Sequence, residues 1–310
     1  MVSNDNRIDA RDWSLLGLLS ILWGGSFFFN GVILRELPPF TLVLLRVALA
    51  AVILLPVLCA QRLPFPKGWT GWTPFFLIAL FNNVLPFSLI VVGQTYIPSG
   101  LASILNATTP LFTVAVMATA GEEKLIVRRV AGVIAGLAGV VILRGGLGFA
   151  SGQGLGVLLC LAAALSYGIS ALIARRALSK SPPLATATFQ LMASSLMMAV
   201  VAGIFERPWR LPMPEAATWL AVLGLAGLST ALAYIVFFQI LQRSGATNVM
   251  LVTLLVPVTA ILLGALVLGE QISPQEIAGA LVIGSALLLI DGRILAFLQR
   301  WLARAGNALS

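Results

Sequence analysis

Histidine is absent from this 310-residue chain, and only 10% of its residues are charged. Without His there is no Ser-His nucleophile, no zinc-protease ligand set, and no side chain that titrates near neutrality on its own. A Gly-Lys-Ser/Thr phosphate loop is also missing, so ATP-driven work would need a separate subunit. The 11 acidic residues (Asp5, Asp9, Asp12, Glu36, Glu122, Glu123, Glu206, Glu215, Glu270, Glu276, Asp291) all fall in a terminus, a loop or the end of an apolar segment. An intramembrane aspartyl enzyme, which needs two buried Asp, is therefore excluded, and weak or absent dependence on a proton gradient is expected. Cys59 and Cys160 lie in different apolar segments and are read as small buried hydrophobes, not as a disulfide. The reading is of a non-enzyme without metal or cofactor.

What the chain has is apolar length. It is 59% hydrophobic, with a mean hydropathy of +1.02, well outside the range of soluble domains. Segments long enough to cross a bilayer core of roughly 30 Å recur with short breaks. They run at about 13–34, 40–60, 73–93, 98–119, 127–146, 154–175, 184–204, 216–240, 246–268 and 275–295. The expected fold is an all-α integral membrane protein of ten helices. The first segment is too long for a signal peptide and lacks a small-residue cleavage site, so it is expected to stay in the protein. The net charge of +8 reads as a topology signal rather than as a nucleic-acid surface. With an even number of spans, 14 Lys and Arg fall on the side of the termini and 4 on the other, which places both termini in the cytoplasm.

The sequence also repeats. Residues WGGSFFFNGVILRELPPF at 23–40 lie over YGISALIARRALSKSPPL at 167–184 at an offset of 144. Gln94 and Ser99-Gly100 lie over Gln239 and Ser244-Gly245 at 145, and Pro110, Glu123 and Ala131-Gly132 over Pro257, Glu270 and Ala278-Gly279 at 147. Three blocks in order with little drift indicate duplication of a five-span unit. Five is odd, so the second copy enters the membrane upside down, giving an inverted repeat of the kind found in secondary carriers and in some channels. The expected divisions are a leader (1–12), a first repeat (13–146), a second repeat (154–295) and a tail (296–310).

The aromatic-Gly pair opening each half, the Pro-Pro loop that follows, and the Pro and Glu thirteen residues apart in each fourth span together resemble the EamA family of the drug/metabolite transporter superfamily. The likeness covers essentially the whole chain, and within the family the chain looks most like YddG-type aromatic amino-acid exporters of the bacterial inner membrane. The resemblance implies a central cavity formed by spans one, three, four, six, eight and nine, and export of amino acids or related small metabolites. Direction, and whether the protein is a monomer or a homodimer, stay open. A broad drug exporter and a pore-type channel are the alternatives, and saturable exchange separates carrier from channel.

The candidate substrate surface is aromatic and neutral. Helical spacing puts Trp23, Ser26 or Phe27, and Asn30 on one face of span one, while Gly24, with Gly168 in the second half, is either a packing contact or a flexible point. In span four Ser99, Ser103, Asn106, Thr109 and Thr113 form a polar stripe, with Thr247, Asn248 and Thr253 as thinner counterparts in span nine. Span three adds Asn82, Asn83 and Ser88 around Pro86, where a lost backbone bond leaves carbonyls in need of partners. Tyr167 and Ser170 in span six and Thr230, Tyr234, Phe237 and Phe238 in span eight complete the surface. Pro86, Pro110 and Pro257 are candidate gating points. Such a lining suits a small amphipathic solute such as a zwitterionic amino acid better than a phosphorylated sugar, which calls for several buried cations. Arg46 is the one strong charge inside a span, and Gln190 stands at its repeat position. Within snorkelling reach of the interface, it either holds the outer loop or a helix end, or reaches a substrate carboxylate. Glu123 and Glu270 are expected to cap or bridge at the membrane surface.

Overall fold

The computed structural model describes residues 10–122, 127–143, 153–249, 252–271 and 273–291. Among them there are helices and turns and no strand, as a hydrocarbon solvent demands of a chain that must satisfy its own backbone. The helices are α1 (Ala10–Ile33), α2 (Pro39–Ala60), α3 (Gly68–Ala79), α4 (Leu85–Gly93), α5 (Ser99–Asn106), α6 (Thr109–Thr119), α7 (Val127–Leu143), α8 (Gln153–Ala177), α9 (Pro183–Phe205), α10 (Ala216–Leu223), α11 (Ala233–Val249), α12 (Val252–Leu263) and α13 (Pro274–Asp291). Several join end to end. A π turn at Leu80–Val84 links α3 to α4, a longer one at Gly224–Leu232 links α10 to α11, and a third, Gly264–Leu268, extends α12. Seven of the resulting stretches are long and apolar enough to cross a membrane, and three shorter apolar helices accompany them.

Proline decides several boundaries. Pro39, Pro110 and Pro183 sit in the first turns of α2, α6 and α9, where a missing N–H costs nothing. Pro86 acts one turn earlier. The Leu85 N–H bonds the Leu80 carbonyl five residues back; in that wide register the next donor would be residue 86, and proline has none to give. The freed Phe81 carbonyl instead accepts the Ser166 hydroxyl of α8 at 2.8 Å. The expected continuous span at 98–119 is in fact two helices, broken at Ala107 and Thr108 just ahead of Pro110.

The packing maps onto itself when the halves are exchanged. α1 packs on α12 and α8 on α6; α1 meets α11 and the Gly224–Leu232 turn as α8 meets α4; α2 pairs with α9 and α7 with α13. Two glycine pairs fix how close these helices come. A Cβ on Gly24 would stand 2.6 Å from Thr259 Cβ and 2.9 Å from the Val256 carbonyl, and one on Gly168 would stand 3.1 Å from the Phe112 and Thr113 backbone. Thr259 and Phe112 are themselves repeat equivalents, at the offset of 147. Likewise Gly132 faces Ile290 while Gly279 faces Leu143, equivalents again. The two glycines are thus contact points between helices, and α1 runs unbroken through Gly24.

Apolar side chains left uncovered by protein, such as Val200, Leu220, Leu266 and Leu281, face lipid. Trp13 and Trp69 near one end of the bundle and Trp209 near the other are exposed, as interfacial aromatics are. Cys160 is buried, but Cys59 at the end of α2 is exposed, which corrects the expectation of two buried thiols; both are free. Gly24→Val is expected to lower thermal stability by about 1–3 kcal/mol, because backbone lies behind the contact. Gly17→Ala, where nothing lies within 4 Å, is the matched control and should cost nothing. Thermal unfolding in detergent reads both.

Candidate functional site

The polar residues that sequence spacing singles out gather in two places. The larger cluster lies where α2 and α9 face the two π turns. Asn82, inside the first turn, points its amide nitrogen at the Gln190 Oε1 and the Tyr234 hydroxyl, both at 3.3 Å, and at Asn83 Oδ1 at 3.4 Å. An amide has two N–H groups, so these three long contacts share two protons. The Asn82 Oδ1 accepts the Ser170 hydroxyl at 3.0 Å. Asn83, fully buried, donates to Ser194 Oγ at 3.0 Å and accepts from the Tyr234 hydroxyl at 3.2 Å. The Tyr234 ring stacks on Phe238 with centroids 6.0 Å apart.

Arg46 belongs to this cluster. It is only 7% exposed, so its head group does not snorkel to the interface. Its Nε donates to Thr230 Oγ1 at 3.0 Å, and its guanidinium carbon lies 3.7 Å from the centre of the Phe87 ring. Tyr167 and Tyr234 lie within electrostatic reach. Thr230 sits in the second π turn and gives its own proton to the Leu225 carbonyl five residues back, at 2.8 Å. Arg46 and Gln190, equivalents in the repeat, thus each reach the π turn of the other half. Wide turns of this kind are frequent at functional sites because they free backbone groups and reorient side chains.

The second cluster holds Asn30. Its amide donates to Gln94 Oε1 at 2.8 Å, and Gln94 Nε2 donates to the Phe27 carbonyl at 2.9 Å and to Ser99 Oγ at 3.0 Å. Glu270 closes the chain by accepting the backbone N–H groups of Ser99 (2.8 Å) and Gly100 (3.1 Å), a carboxylate at a helix start. That is the capping role expected of it; Glu123 lies outside the described residues. The Phe27 ring is buried in the main apolar core.

The remaining candidates are spent locally. The Ser26 hydroxyl donates to the Trp23 carbonyl three residues back (2.6 Å), and the single Ser170 proton is shared between the Tyr167 carbonyl three residues back (2.8 Å) and Asn82 Oδ1, a corresponding contact at the offset of 144. Ser103 is fully buried and donates to the Gly100 carbonyl, Thr109 donates to that of Asn106 and Thr113 to that of Thr109. The stripe therefore offers few free donors. Asn106 keeps a sealed side-chain oxygen with no partner among the described residues. Ser88 rests against the Met198 sulfur at 3.8 Å, and the Trp23 ring lies tilted against Phe237 with centroids 5.6 Å apart. Pro257 lies within α12, and the side chains of Thr247 and Asn248 lie outside the described residues. Sequence reasoning left Gln190, Ser194 and Phe87 off the site, whereas Thr230, singled out on the face of span eight, lies in it. For Gln190 a signal existed, since it and Arg46 are the strongly polar residues at one repeat position of otherwise apolar helices.

Ion pairs lie at the bundle's end. Glu122 accepts from Arg176 Nε at 2.8 Å and lies 3.3 Å from Arg175 Nε, tying the end of the fourth span to α8. The Arg176 hydrogen bond holds the Glu122 carboxyl below its ordinary range. The tie is therefore complete above the unfolded value and is released as pH falls through the lowered one. Arg243 meets Asp12 at 3.1 Å. Among the described residues no His/Cys/Asp/Glu group could hold a metal.

A bundle of apolar spans around an aromatic, hydrogen-bonding centre that holds one cation, Arg46, and no described carboxylate fits a membrane carrier for small molecules. The chain belongs to the EamA-like transporter family, which matches residues 12–145 and again residues 154–291. Among its relatives is the uncharacterized transporter YoaV of Bacillus subtilis, 28% identical over 87% of this chain and 93% of that one. Another is a probable amino-acid metabolite efflux pump of Salmonella typhimurium, 26% identical over 91% and 95%. The uncharacterized inner membrane transporter YedA of Escherichia coli is 28% identical over 88% of each chain. A crystal structure at 23% identity superposes with a TM-score of 0.64 over 91% of this chain and 96% of that one, which shows the fold. The chain is a multi-pass membrane transporter of small metabolites.

The central hydrogen bonds should act as a unit. Tyr234→Phe is expected to cost about 0.5–1.5 kcal/mol, and a cycle with Asn83→Ala should show a coupling of at least about 0.5 kcal/mol. Strict additivity in thermal unfolding would contradict the shared network.

Proposed function

We propose that the protein is a ten-helix carrier, built as two inverted five-helix repeats, that exports aromatic and other neutral amino acids and related small metabolites. It sits in the bacterial inner membrane with both termini cytoplasmic and works by alternating access in the manner of YddG-type exporters, through facilitated diffusion or exchange. The observation that carries this reading is the central cluster itself. Aromatic rings (Tyr167, Tyr234, Phe238, Phe87) surround amides and hydroxyls (Asn82, Asn83, Ser170, Gln190, Thr230) in the middle of apolar helices. Rings bury a solute's apolar part at about 25 cal/mol per Å² while neutral polar groups satisfy the rest. The exchange symmetry of the packing supports alternating access, since a bundle that maps onto itself has two related states available to it. The Salmonella relative, a probable amino-acid metabolite efflux pump, supports the substrate class. Among the described residues the cluster contains no carboxylate, which supports independence from protons.

Counterflow in proteoliposomes tests the reading. Vesicles loaded with unlabelled phenylalanine, methionine or threonine should accelerate uptake of the same labelled amino acid, equally with and without a pH gradient. Absence of counterflow for every amino acid would sink the substrate assignment, and strict dependence on the gradient would sink the mechanism.

A further inference from the structure

Arg46 is a buried cation without an anion. Its hydrogen bond is spent on a neutral hydroxyl, Thr230, through Nε, and its flat face on Phe87. No described carboxylate pairs with it: the ion pairs of the described residues belong to Glu122 with Arg175 and Arg176, and to Asp12 with Arg243. Its two terminal nitrogens make no hydrogen bond to any described residue. Nor are they sealed away, since among the described residues sealed polar side-chain atoms lacking a partner are those of Asn30, Asn106, Trp219 and Ser229. A guanidinium stays charged at any physiological pH. Holding it in a membrane interior is costly unless something offsets it, and a ring face and a hydroxyl do so only in part. The unused half of the guanidinium is the planar, two-pronged donor that matches a carboxylate.

We propose that Arg46 is the anion handle of the substrate site, binding the carboxylate of the transported solute through its two terminal nitrogens. The inference rests on the carrier reading above and narrows it. The site supplies one cation and no acid, so it selects a monoanionic head group and leaves an ammonium group to neutral acceptors such as Asn83 Oδ1 and the Tyr234 hydroxyl. Recognition is then by the carboxylate and not by the amine. Aromatic monocarboxylates without an amino group bind, amines and amides of the same skeleton do not, and dianions lack the second cation they need.

Thermal stabilisation of the purified full-length protein in detergent tests this without any transport assay. The probes share one skeleton: phenylalanine, 3-phenylpropionate, phenylalaninamide and phenethylamine. The two carboxylates are expected to stabilise the protein and to bind about 10- to 100-fold more tightly than the amide or the amine. Arg46→Gln should abolish that discrimination, and Arg46→Lys, which keeps the charge but loses the fork, should retain only part of it. Stabilisation by the amine or amide equal to that by the carboxylates, or by none of the four, would overturn the proposal, and wild-type protein alone gives that answer if Arg46→Gln does not fold. Counterflow and this test fail separately. Amino acids exchanged without carboxylate selectivity leave the carrier standing and remove the handle, whereas selective carboxylate binding without amino-acid counterflow removes the amino-acid assignment and keeps the handle.

Discussion

In hydrocarbon every backbone carbonyl needs a donor, because leaving one bare costs several kcal/mol. Most of this chain meets that demand with uninterrupted helix. Where the ladder loosens, at Leu80–Val84, at Gly224–Leu232 and between α5 and α6, something else must step in, and the polar side chains collect there. Ser166 supplies a proton to the Phe81 carbonyl and Thr230 to that of Leu225. Asn82, Asn83 and Arg46 then have polar company in the middle of an apolar bundle. The site is, in this sense, a consequence of backbone bonds that proline and wide turns release.

The central cluster has two arms, contributed by residues 144 apart in sequence. Arg46 from one half and Gln190 from the other approach opposite π turns, and Gly24 and Gly168 set the same close contact twice. The chemistry is nevertheless unequal. One arm is a cation beside a ring and a threonine, the other a neutral amide beside two asparagines. Under the alternating access proposed above, a symmetric frame with an asymmetric lining would let the helices exchange roles while the solute keeps a single orientation.

Much of the fold was legible. Apolar runs marked the seven long spans and the three shorter helices, and the offset of 147 relates residues in matching contacts, Thr259 against Gly24 and Phe112 against Gly168. What periodicity alone could not deliver was where the helices depart from it. The stripe through Ser103, Asn106, Thr109 and Thr113 presumed a single helix, and the break before Pro110 together with back-bonding to the helix's own carbonyls removed most of its donors. Asn30 shares a helix face with Trp23 yet bonds Gln94 in a second cluster, because the partner is set by where the third span ends. Arg46 was visible as the lone charge, but whether it turned outward or inward depended on Phe87 and Thr230, 41 and 184 residues away. Such long-range partners leave no local trace.

The most direct test of alternating access is the reach of the central cluster from either face of the membrane. A single cysteine at position 82 (Asn82→Cys) in a background of Cys59→Ser and Cys160→Ala would be exposed to a membrane-impermeant thiol reagent in right-side-out and in inverted vesicles. Labelling from both faces, slowed by saturating substrate on either, is the expected result. Labelling from one face only, or labelling that substrate leaves unchanged, would contradict a central site that opens in turn to each side.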